Sequence, residues 1–549
     1  MKMLNMKDVS IENIDHLGIV AGIVDAIGLV EIINNLIGLE PEEKISAGHV
    51  VKAMIINGLG CISQPLYMFP KFFESIACEH LIGAGVKPEY LNDDKLGRVM
   101  DKLFMKGLDT IFLAISLQAV NKFQVSLGTS HLDSSSMHVH GEYNVKLPEV
   151  IFENGESENS LIKKESAQAI NITYGYSRDH RPDLKQFLIE LICSGDGDIP
   201  IYFKSASGNQ TDSSSFAQIA VDYKKQIEVD SLIVADAALY TEENIKSMSE
   251  MTWLCRVPVT VKSAQSLVAN AAESEFVKSE LSGYSFVVKN ITYGGIEQRW
   301  LLVQSQARKK SDLEKLAKKI TKAEEKNKIE LKKLSQERFA CEADAIKALS
   351  KLSKLFKYHQ ISQSEIIEVE ALSTDKKARK TYKILATCTK DESKINSEML
   401  RAGRFIIATN ILDESQLSHE AMIIEYKAQQ SCERGFAFLK NPSFFADSIY
   451  LKSPERIEAL AMIMGLCLLV YTLGQRQIRA GLAAAKSTIK NQLGKATERP
   501  TMAWIFQGFY SIHLVNIAQQ KHISNWTDER DFILRLLPED CRRYYQFIT

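Results

Sequence analysis

The chain has 549 residues and a mass of 61.7 kDa, several times the usual length of one domain, which excludes a single small binding module. With 45% hydrophobic and 25% charged residues it resembles an average globular protein and not a disordered or fibrous one. The 67 Lys and Arg residues against 68 Asp and Glu leave a net charge of −1, which by itself argues against a nucleic-acid partner.

Cysteine usage and apolar runs indicate the compartment. The nine cysteines are scattered and form no CxxC pair, so a disulfide framework or a zinc knuckle is not expected. The first apolar stretch is interrupted by Asp25, unlike a secretory signal. The longest apolar run, 459–473, has 15 residues, and a membrane span needs roughly 18 or more. We therefore expect a cytoplasmic protein without a membrane partner, and a buried core helix at this run.

Residues 1–122 are predicted to be wholly helical, because apolar residues recur at spacings of three and four. A helix-turn-helix could lie in this region. An ordinary helical bundle is favoured, since no specific turn signature stands out.

From about residue 124 the pattern changes to strands and helices that predict a mixed sheet covered by helices. A polar loop is expected at 144–168. The predicted strands are 124–143, 169–176, 184–194, 198–207, 231–236 and 252–261, and the predicted helices are 214–227 and 241–249.

Residues 264–402 break this pattern and predict a β-rich insertion that carries a helical hairpin. Its helical part, 308–357, has sixteen basic residues against eight acidic ones. A solvated coiled-coil face and an arm that follows DNA phosphates are equally good interpretations of this charge. A buried strand at 404–411 follows, and helices dominate from Ser418 onward.

Three acidic residues stand where metal chemistry would require them. Asp133 lies in a strand pattern, Asp236 ends the apolar strand 231–236, and Glu433 lies in a predicted helix. A carboxylate at the end of a buried strand lies at a sheet edge where ligands bind. If the three converge, their oxygens are the ligands that a pair of Mg²⁺ ions requires for displacement at phosphorus. Alone, each acid could equally be a cap, a turn residue or an exposed charge.

The predicted helix around Glu433 also carries Tyr426, Gln429 and Lys440. The four residues are separated by 3, 4 and 7 positions, so at about 100° per residue they share one face of a single helix. One helix could then hold metals and contact neighbouring phosphates.

This spacing resembles a known signature. DDE insertion-sequence transposases of the insertion-sequence-four superfamily carry Tyr-x2-Arg-x3-Glu-x6-Lys, and YKAQQSCERGFAFLK matches three of its four positions. Gln429 stands where the signature has Arg. The blocks LDSSSMHVHGEY, GYSRDHRPDLKQ, SASGNQTD and VADAALYT also resemble one branch of that superfamily.

The resemblance implies a multi-domain α/β protein: an RNase H-like mixed-sheet catalytic domain, interrupted by the β-rich insertion and flanked by helical regions. The implied parts are a DNA-end-binding helical region (1–122), the first catalytic part (123–263), the insertion (264–402), the second catalytic part (403–445), and a helical C-terminal region for synapsis or dimerisation (446–549).

It also implies the site. Asp133, Asp236 and Glu433 would bind two Mg²⁺ ions, which Mn²⁺ could replace, and catalyse cleavage at transposon ends and strand transfer into target DNA. Tyr426, Gln429, Arg434 and Lys440 would contact DNA, with Arg434 a neighbour that could compensate for the missing signature Arg. Trp300 is a candidate for holding a flipped base.

The implied partners are double-stranded DNA, as terminal inverted repeats and as target, and a second copy of the chain in a synaptic complex. The implied location is the prokaryotic cytoplasm, at the nucleoid. Two alternatives stay open: a transposase-derived DNA-binding protein that no longer cuts, and a stand-alone RNase H-like nuclease or resolvase.

Charge is segregated along the chain, which removes the objection from net charge. Residues 1–46 have three basic against eight acidic side chains, whereas 434–499 have ten against four. The near-neutral total therefore conceals basic segments where a DNA path would run.

Overall fold

The computed structural model describes residues 9–60, 64–140, 143, 169–227, 230–371, 379–441, 451–517 and 520–546. The polar loop predicted at 144–168 lies outside the described residues. The chain forms two compact units, one of Met1–Leu254 with Ile424–Thr549 and one of Cys255–Ile423. The predicted insertion 264–402 lies inside the second unit.

The first part of the chain is mainly helical and then forms a sheet. Its helices begin at polar caps: Ser46 accepts a hydrogen bond from the backbone of His49, and Asn92 from that of Lys95. The elements are β1 (Val9–Asn13), α1 (Leu17–Ile27), α2 (Leu29–Ile37), α3 (Ala47–Leu59), α4 (Phe69–Glu74), α5 (Cys78–Ile82), α6 (Asp93–Lys106), α7 (Leu108–Phe123), β2 (Thr129–Val139), β3 (Lys185–Ser194), β4 (Pro200–Ser207), α8 (Asp212–Gln226), β5 (Leu232–Ala235), α9 (Glu242–Ser247) and β6 (Trp253–Val257).

The elements that follow alternate between short strands and long helices. They are α10 (Lys262–Asn270), β7 (Val277–Lys278), β8 (Tyr284–Tyr293), β9 (Ile296–Ser305), α11 (Gln306–Gln336), α12 (Glu342–Ser353), β10 (His359–Ala371), β11 (Arg379–Lys390), α13 (Glu392–Arg401), β12 (Arg404–Thr409) and α14 (His419–Ala428). In the second unit, β12, β9, β8 and β7 form an antiparallel sheet in that order, and β10 pairs with β11. The predicted helical hairpin corresponds to α11 and α12.

The last part of the chain is helical with two small strand pairs. Its elements are α15 (Gln430–Leu439), α16 (Pro454–Ala484), β13 (Ile489–Lys490), β14 (Ala496–Thr497), α17 (Met502–Gly508), β15 (His513–Ile517), β16 (Gln520–Ile523), α18 (Asp528–Arg535) and α19 (Glu539–Arg542).

The sheet of the first unit is mixed, as predicted. Its strand order is β4-β3-β2-β5-β6; β2 is antiparallel to β3 and parallel to β5. The strand predicted at 169–176 is absent. Only Thr173 exchanges backbone hydrogen bonds with Gln186, while Asn171 bonds to Gly208 instead, so no continuous ladder forms.

Helix α16 is the buried core helix expected at 459–473. It is long and apolar enough to cross a membrane, as are the bent pairs α1 with α2 and α6 with α7, but 89% of its apolar window is buried inside the structure. Gly465 lets it approach its neighbours closely, because an added Cβ would lie 2.9 Å from Phe112 and 3.1 Å from Phe203. The helix therefore packs against both α7 and β4.

The two ends of the described chain lie next to each other in a small sheet. Because β1 is a strand, the prediction that residues 1–122 are wholly helical is wrong. Strand β1 pairs with β15, which pairs with β16, so Asn13 lies opposite His513. Asp25 forms ion pairs with Lys52, at 2.7 Å, and with Arg543. Since β1 is short and its partner is distant in sequence, no local pattern indicated it.

His16 provides a test of this packing. Its ring is 2% exposed, stacks on Phe506 and donates from Nε2 to the Leu59 carbonyl at 2.9 Å. Burial lowers its pKa from 6.5 to about 4. Below pH 6.5 the unfolded chain therefore binds a proton that the folded chain does not, and the free energy of unfolding falls until about pH 4.

We predict that His16→Gln reduces the loss of unfolding free energy between neutral pH and about pH 4 by up to about 3 kcal/mol. Urea denaturation at several pH values would measure it. The control is His522→Gln, at an exposed histidine. An identical pH dependence in both variants would contradict the prediction.

Candidate active site

The parallel pairing of β2 and β5 brings two of the predicted acids together. Leu132 lies opposite Ala235 in the register, so Asp133 and Asp236 follow as neighbours on adjacent strands. Asp236 comes directly after the last residue of β5, while β2 continues beyond Asp133 and stays paired with β3. The pair therefore lies at the sheet edge where β5 ends.

Both carboxylates are oriented by local hydrogen bonds. Asp133 Oδ1 accepts from the Ser134 amide at 2.8 Å, and Asp236 Oδ1 accepts from the Ala238 amide at 2.8 Å. The Asp133 side chain is 14% exposed, so it is mostly shielded but reachable.

Arg178 is a site residue that the sequence analysis did not identify. Its Nη1 lies 3.7 Å from Asp133 Oδ1, and its Nη2 donates to Ser134 Oγ at 2.8 Å. A guanidinium keeps its charge at all physiological pH values, so it offsets part of the repulsion between the two neighbouring carboxylates. The block GYSRDHRPDLKQ was the sequence signal that could have revealed it.

The predicted single helix around Glu433 is two helices. Helix α14 ends at Ala428 and α15 begins at Gln430, with Gln429 between them. Tight turns replace the regular helical bonds there: the Gln429 amide donates to Tyr426 and the Cys432 amide to Gln429, both at 3.3 Å. The expectation of one continuous helix from Tyr426 to Lys440 is therefore wrong, and the shared face of these residues stays a prediction.

Gln429 lies at this break and against the site. It is 9% exposed. In the orientation that satisfies both ends of its amide, the oxygen accepts from the Asp236 backbone at 2.8 Å and the nitrogen donates to the Ala235 carbonyl at 3.2 Å. Cys432 Sγ lies 3.1 Å from the His131 carbonyl of β2. The start of α15 is thus held against β2 near Asp133 and against the end of β5.

Glu433 is exposed on α15, next to Cys432. No group of three His, Cys, Asp or Glu side chains within the described ranges is placed to hold a metal ion. Asp133 and Asp236 are hard oxygen ligands, and Mg²⁺ is commonly held by one or two carboxylates with water and substrate phosphates. The aspartate pair therefore has the oxygen ligands that one ion prefers, and Glu433 is not grouped with it.

The predicted DNA contacts lie on both helices. Tyr426 is half-buried on α14. Arg434 donates to Asp198 Oδ2 at 2.7 and 3.0 Å, and Lys440 donates to Asp179 Oδ2 at 2.7 Å. Contact with DNA at Tyr426, Gln429, Arg434 and Lys440 stays a prediction.

Trp300 is not placed to hold a flipped base, and two histidines of β2 lie near Asp133 in the sequence. Trp300 is fully buried in β9 and donates to Gln298 at 3.0 Å, so its ring is not available to a base. His131 is buried, and burial lowers its pKa to about 4. His138 Nδ1 lies 3.6 Å from Asp179.

The family of the chain follows from a sequence model. Residues 130–471 match the model described as transposase DDE domain, which is more than half of the 549 residues. The chain therefore belongs to this family. Its function is that of a DNA transposase.

Two further comparisons describe the rest of the chain. Residues 9–117 match a domain of unknown function, DUF4277. The chain is similar to the piggyBac transposase in its synaptic complex with hairpin DNA, solved by cryo-EM, with 10% identity, a TM-score of 0.37, and coverage of 96% of this chain and 86% of that one. No curated protein matches the chain.

Gln429 gives a test of the site's construction. We predict that Gln429→Leu lowers the free energy of unfolding by about 1–2 kcal/mol, because Leu has similar size but cannot bond to the Ala235 carbonyl or the Asp236 amide. Urea denaturation would measure the loss. The control is Gln430→Leu, at its exposed neighbour. Equal effects would show that the amide contributes nothing.

Proposed function

We propose that this transposase cuts DNA at the ends of its own element and joins those ends to target DNA, using carboxylate-bound divalent metal. The observation that carries the proposal is the register of β2 and β5, which makes Asp133 and Asp236 neighbours at a sheet edge. Family membership over residues 130–471 supports it.

Each residue of the site would have a separate role in catalysis. Asp133 and Asp236 would hold Mg²⁺, or Mn²⁺ in its place, and the bound metal would polarise the scissile phosphate and activate the attacking oxygen. Arg178, beside Asp133, would add a fixed positive charge near the reacting phosphate. Glu433, exposed on α15, would complete the site for a second ion once DNA is bound.

The finer assignments rest on the sequence signature and are part of the proposal. We assign the chain to the insertion-sequence-four superfamily with an RNase H-like catalytic core at 123–263 and 403–445. Residues 1–122 would bind the transposon end and 446–549 would serve synapsis. The working form would be a homodimer on duplex DNA at the nucleoid of a prokaryotic cell.

Arg434 of α15 and Lys440, directly after this helix, would bind DNA phosphates in place of their carboxylate partners. Lys440 bonds to Asp179 and Arg434 to Asp198, each with a partly exposed carboxylate. A DNA phosphate is an equivalent acceptor for either side chain. In both cases the carboxylate competes with DNA.

We predict that Asp133→Asn and Asp236→Asn each slow cleavage of end-containing DNA by about a thousandfold or more, because several kcal/mol of transition-state stabilisation are lost. Glu433→Gln should have an effect of the same kind. Cleavage should stop with EDTA and return with Mg²⁺ or Mn²⁺. A gel assay on DNA that carries the terminal repeats would measure the rate.

The control is Glu498→Gln, at another exposed acid. Full activity in either aspartate variant would disprove the assigned site. A wild-type protein that binds ends but never cuts them would be a transposase-derived DNA-binding protein. Cleavage without strand transfer, indifferent to terminal repeats, would identify a nuclease or resolvase.

Lys440 and Asp179 give a paired prediction. Lys440→Gln should weaken end binding and reduce the slope of log affinity against log salt by about one unit, the value for one lost phosphate contact. Asp179→Asn should strengthen binding roughly threefold, since an exposed ion pair costs little to remove and the freed lysine can contact phosphate.

Fluorescence anisotropy over a salt series would measure both effects. Lys225→Gln, at an exposed lysine of α8, is the control and should leave the slope unchanged. An unchanged slope in the Lys440 variant would mean that this side chain touches no phosphate.

A further inference from the structure

One side of α11 carries lysines without internal partners. Lys315, Lys319, Lys322 and Lys326 lie within about 60° of one another around the helix axis. All four are exposed, and none forms an ion pair with a described residue. This set is called the lysine face below.

The acidic residues of α11 do not neutralise the lysine face. Three of them pair with other cations of the same helix: Asp312 with Arg308, Glu324 with Lys328 and Glu330 with Lys333. The remaining two, Glu314 and Glu325, project about 90–110° away from the centre of the face. The four lysines of the face therefore have no ion-pair partner among the acids of α11.

The helix holds this face in a fixed position. Ser305 caps its start by accepting from the Arg308 amide. Leu316 packs with Tyr358 and Ile395, and Leu334 packs with Ala345 and Ile384. Asn327 lies 3.3 Å from the His359 ring nitrogen. Little backbone order would have to be gained on binding.

The dimensions fit the backbone of a duplex. Eleven residues separate Lys315 from Lys326, which is about 16 Å along the helix. Successive phosphates of one DNA strand advance about 3.4 Å along the duplex axis, so the face spans on the order of five phosphates. Four mobile ammonium groups can each reach one of them.

We propose that the lysine face of α11 is a second DNA-binding surface, which follows the phosphate backbone of duplex DNA without reading its sequence. The proposal rests on the proposed function, because a transposase must hold DNA beyond the bond that it cuts. It assigns a role to the helical part of the insertion that is separate from the carboxylates of the active site.

The test compares two variants that remove equal charge from the same helix. The face variant is K315Q/K322Q/K326Q. The control variant is K310Q/K328Q/K332Q, whose exposed lysines lie about 100–140° around the helix from the face. Circular dichroism and thermal unfolding should be the same for both, because all six side chains are exposed.

Affinity of the full chain for a short duplex of unrelated sequence would be measured by fluorescence anisotropy in EDTA, between about 50 and 200 mM salt. We expect the slope of log affinity against log salt to be reduced by roughly 2–3 units in the face variant and to be unchanged in the control. Equal slopes in the two variants would overturn the proposal. It would also be overturned if the face variant lost affinity for polyglutamate and kept its affinity for DNA.

A parallel cleavage assay separates this proposal from the proposed function. If the wild-type protein cuts end DNA and the face variant keeps the wild-type salt slope, the proposed DNA contact of the lysine face is disproved. The proposed cleavage mechanism is then retained. If the slope falls as expected but no DNA is cut under any metal condition, the mechanism fails and the DNA-binding surface stands.

Discussion

Two strands that run in the same direction determine where chemistry can occur in this protein. Because β2 and β5 are parallel and in register up to Leu132 and Ala235, the next residue of each is an aspartate at the same level. A shift of one residue would turn one carboxylate to the opposite face. Gln429, at the break between α14 and α15, bonds to the backbone of Asp236, and Arg178 lies beside Asp133.

The cations around the site form ion pairs with carboxylates of the same chain. Arg178 faces Asp133, Arg434 binds Asp198 and Lys440 binds Asp179. A near-zero net charge is compatible with basic groups that are paired locally, so it gives no argument against DNA. The lysine face of α11 differs because none of its four lysines pairs with a described carboxylate, so these side chains would contact DNA without first leaving an internal partner.

The sequence predicted features that depend on local pattern and missed those that depend on distant contacts. Apolar runs gave the strands of the mixed sheet and α16, and the position of Asp236 after an apolar strand predicted a site at the sheet edge. Helical periodicity did not reveal the break at Gln429, where the side-chain amide bonds to the backbone of Ala235 and Asp236. The strand expected at 169–176 does not form, because Thr173 bonds to the Gln186 backbone whereas Asn171 bonds to Gly208.

The pairing of β1 with β15 has a consequence for how the protein is made. Residues 9–13 leave the ribosome early, but the strand that completes their sheet, 513–517, emerges roughly five hundred codons later. The ion pair of Asp25 with Arg543 likewise requires a residue that is synthesised after that strand. The N-terminal sheet therefore stays incomplete until residues 513–517 have been synthesised.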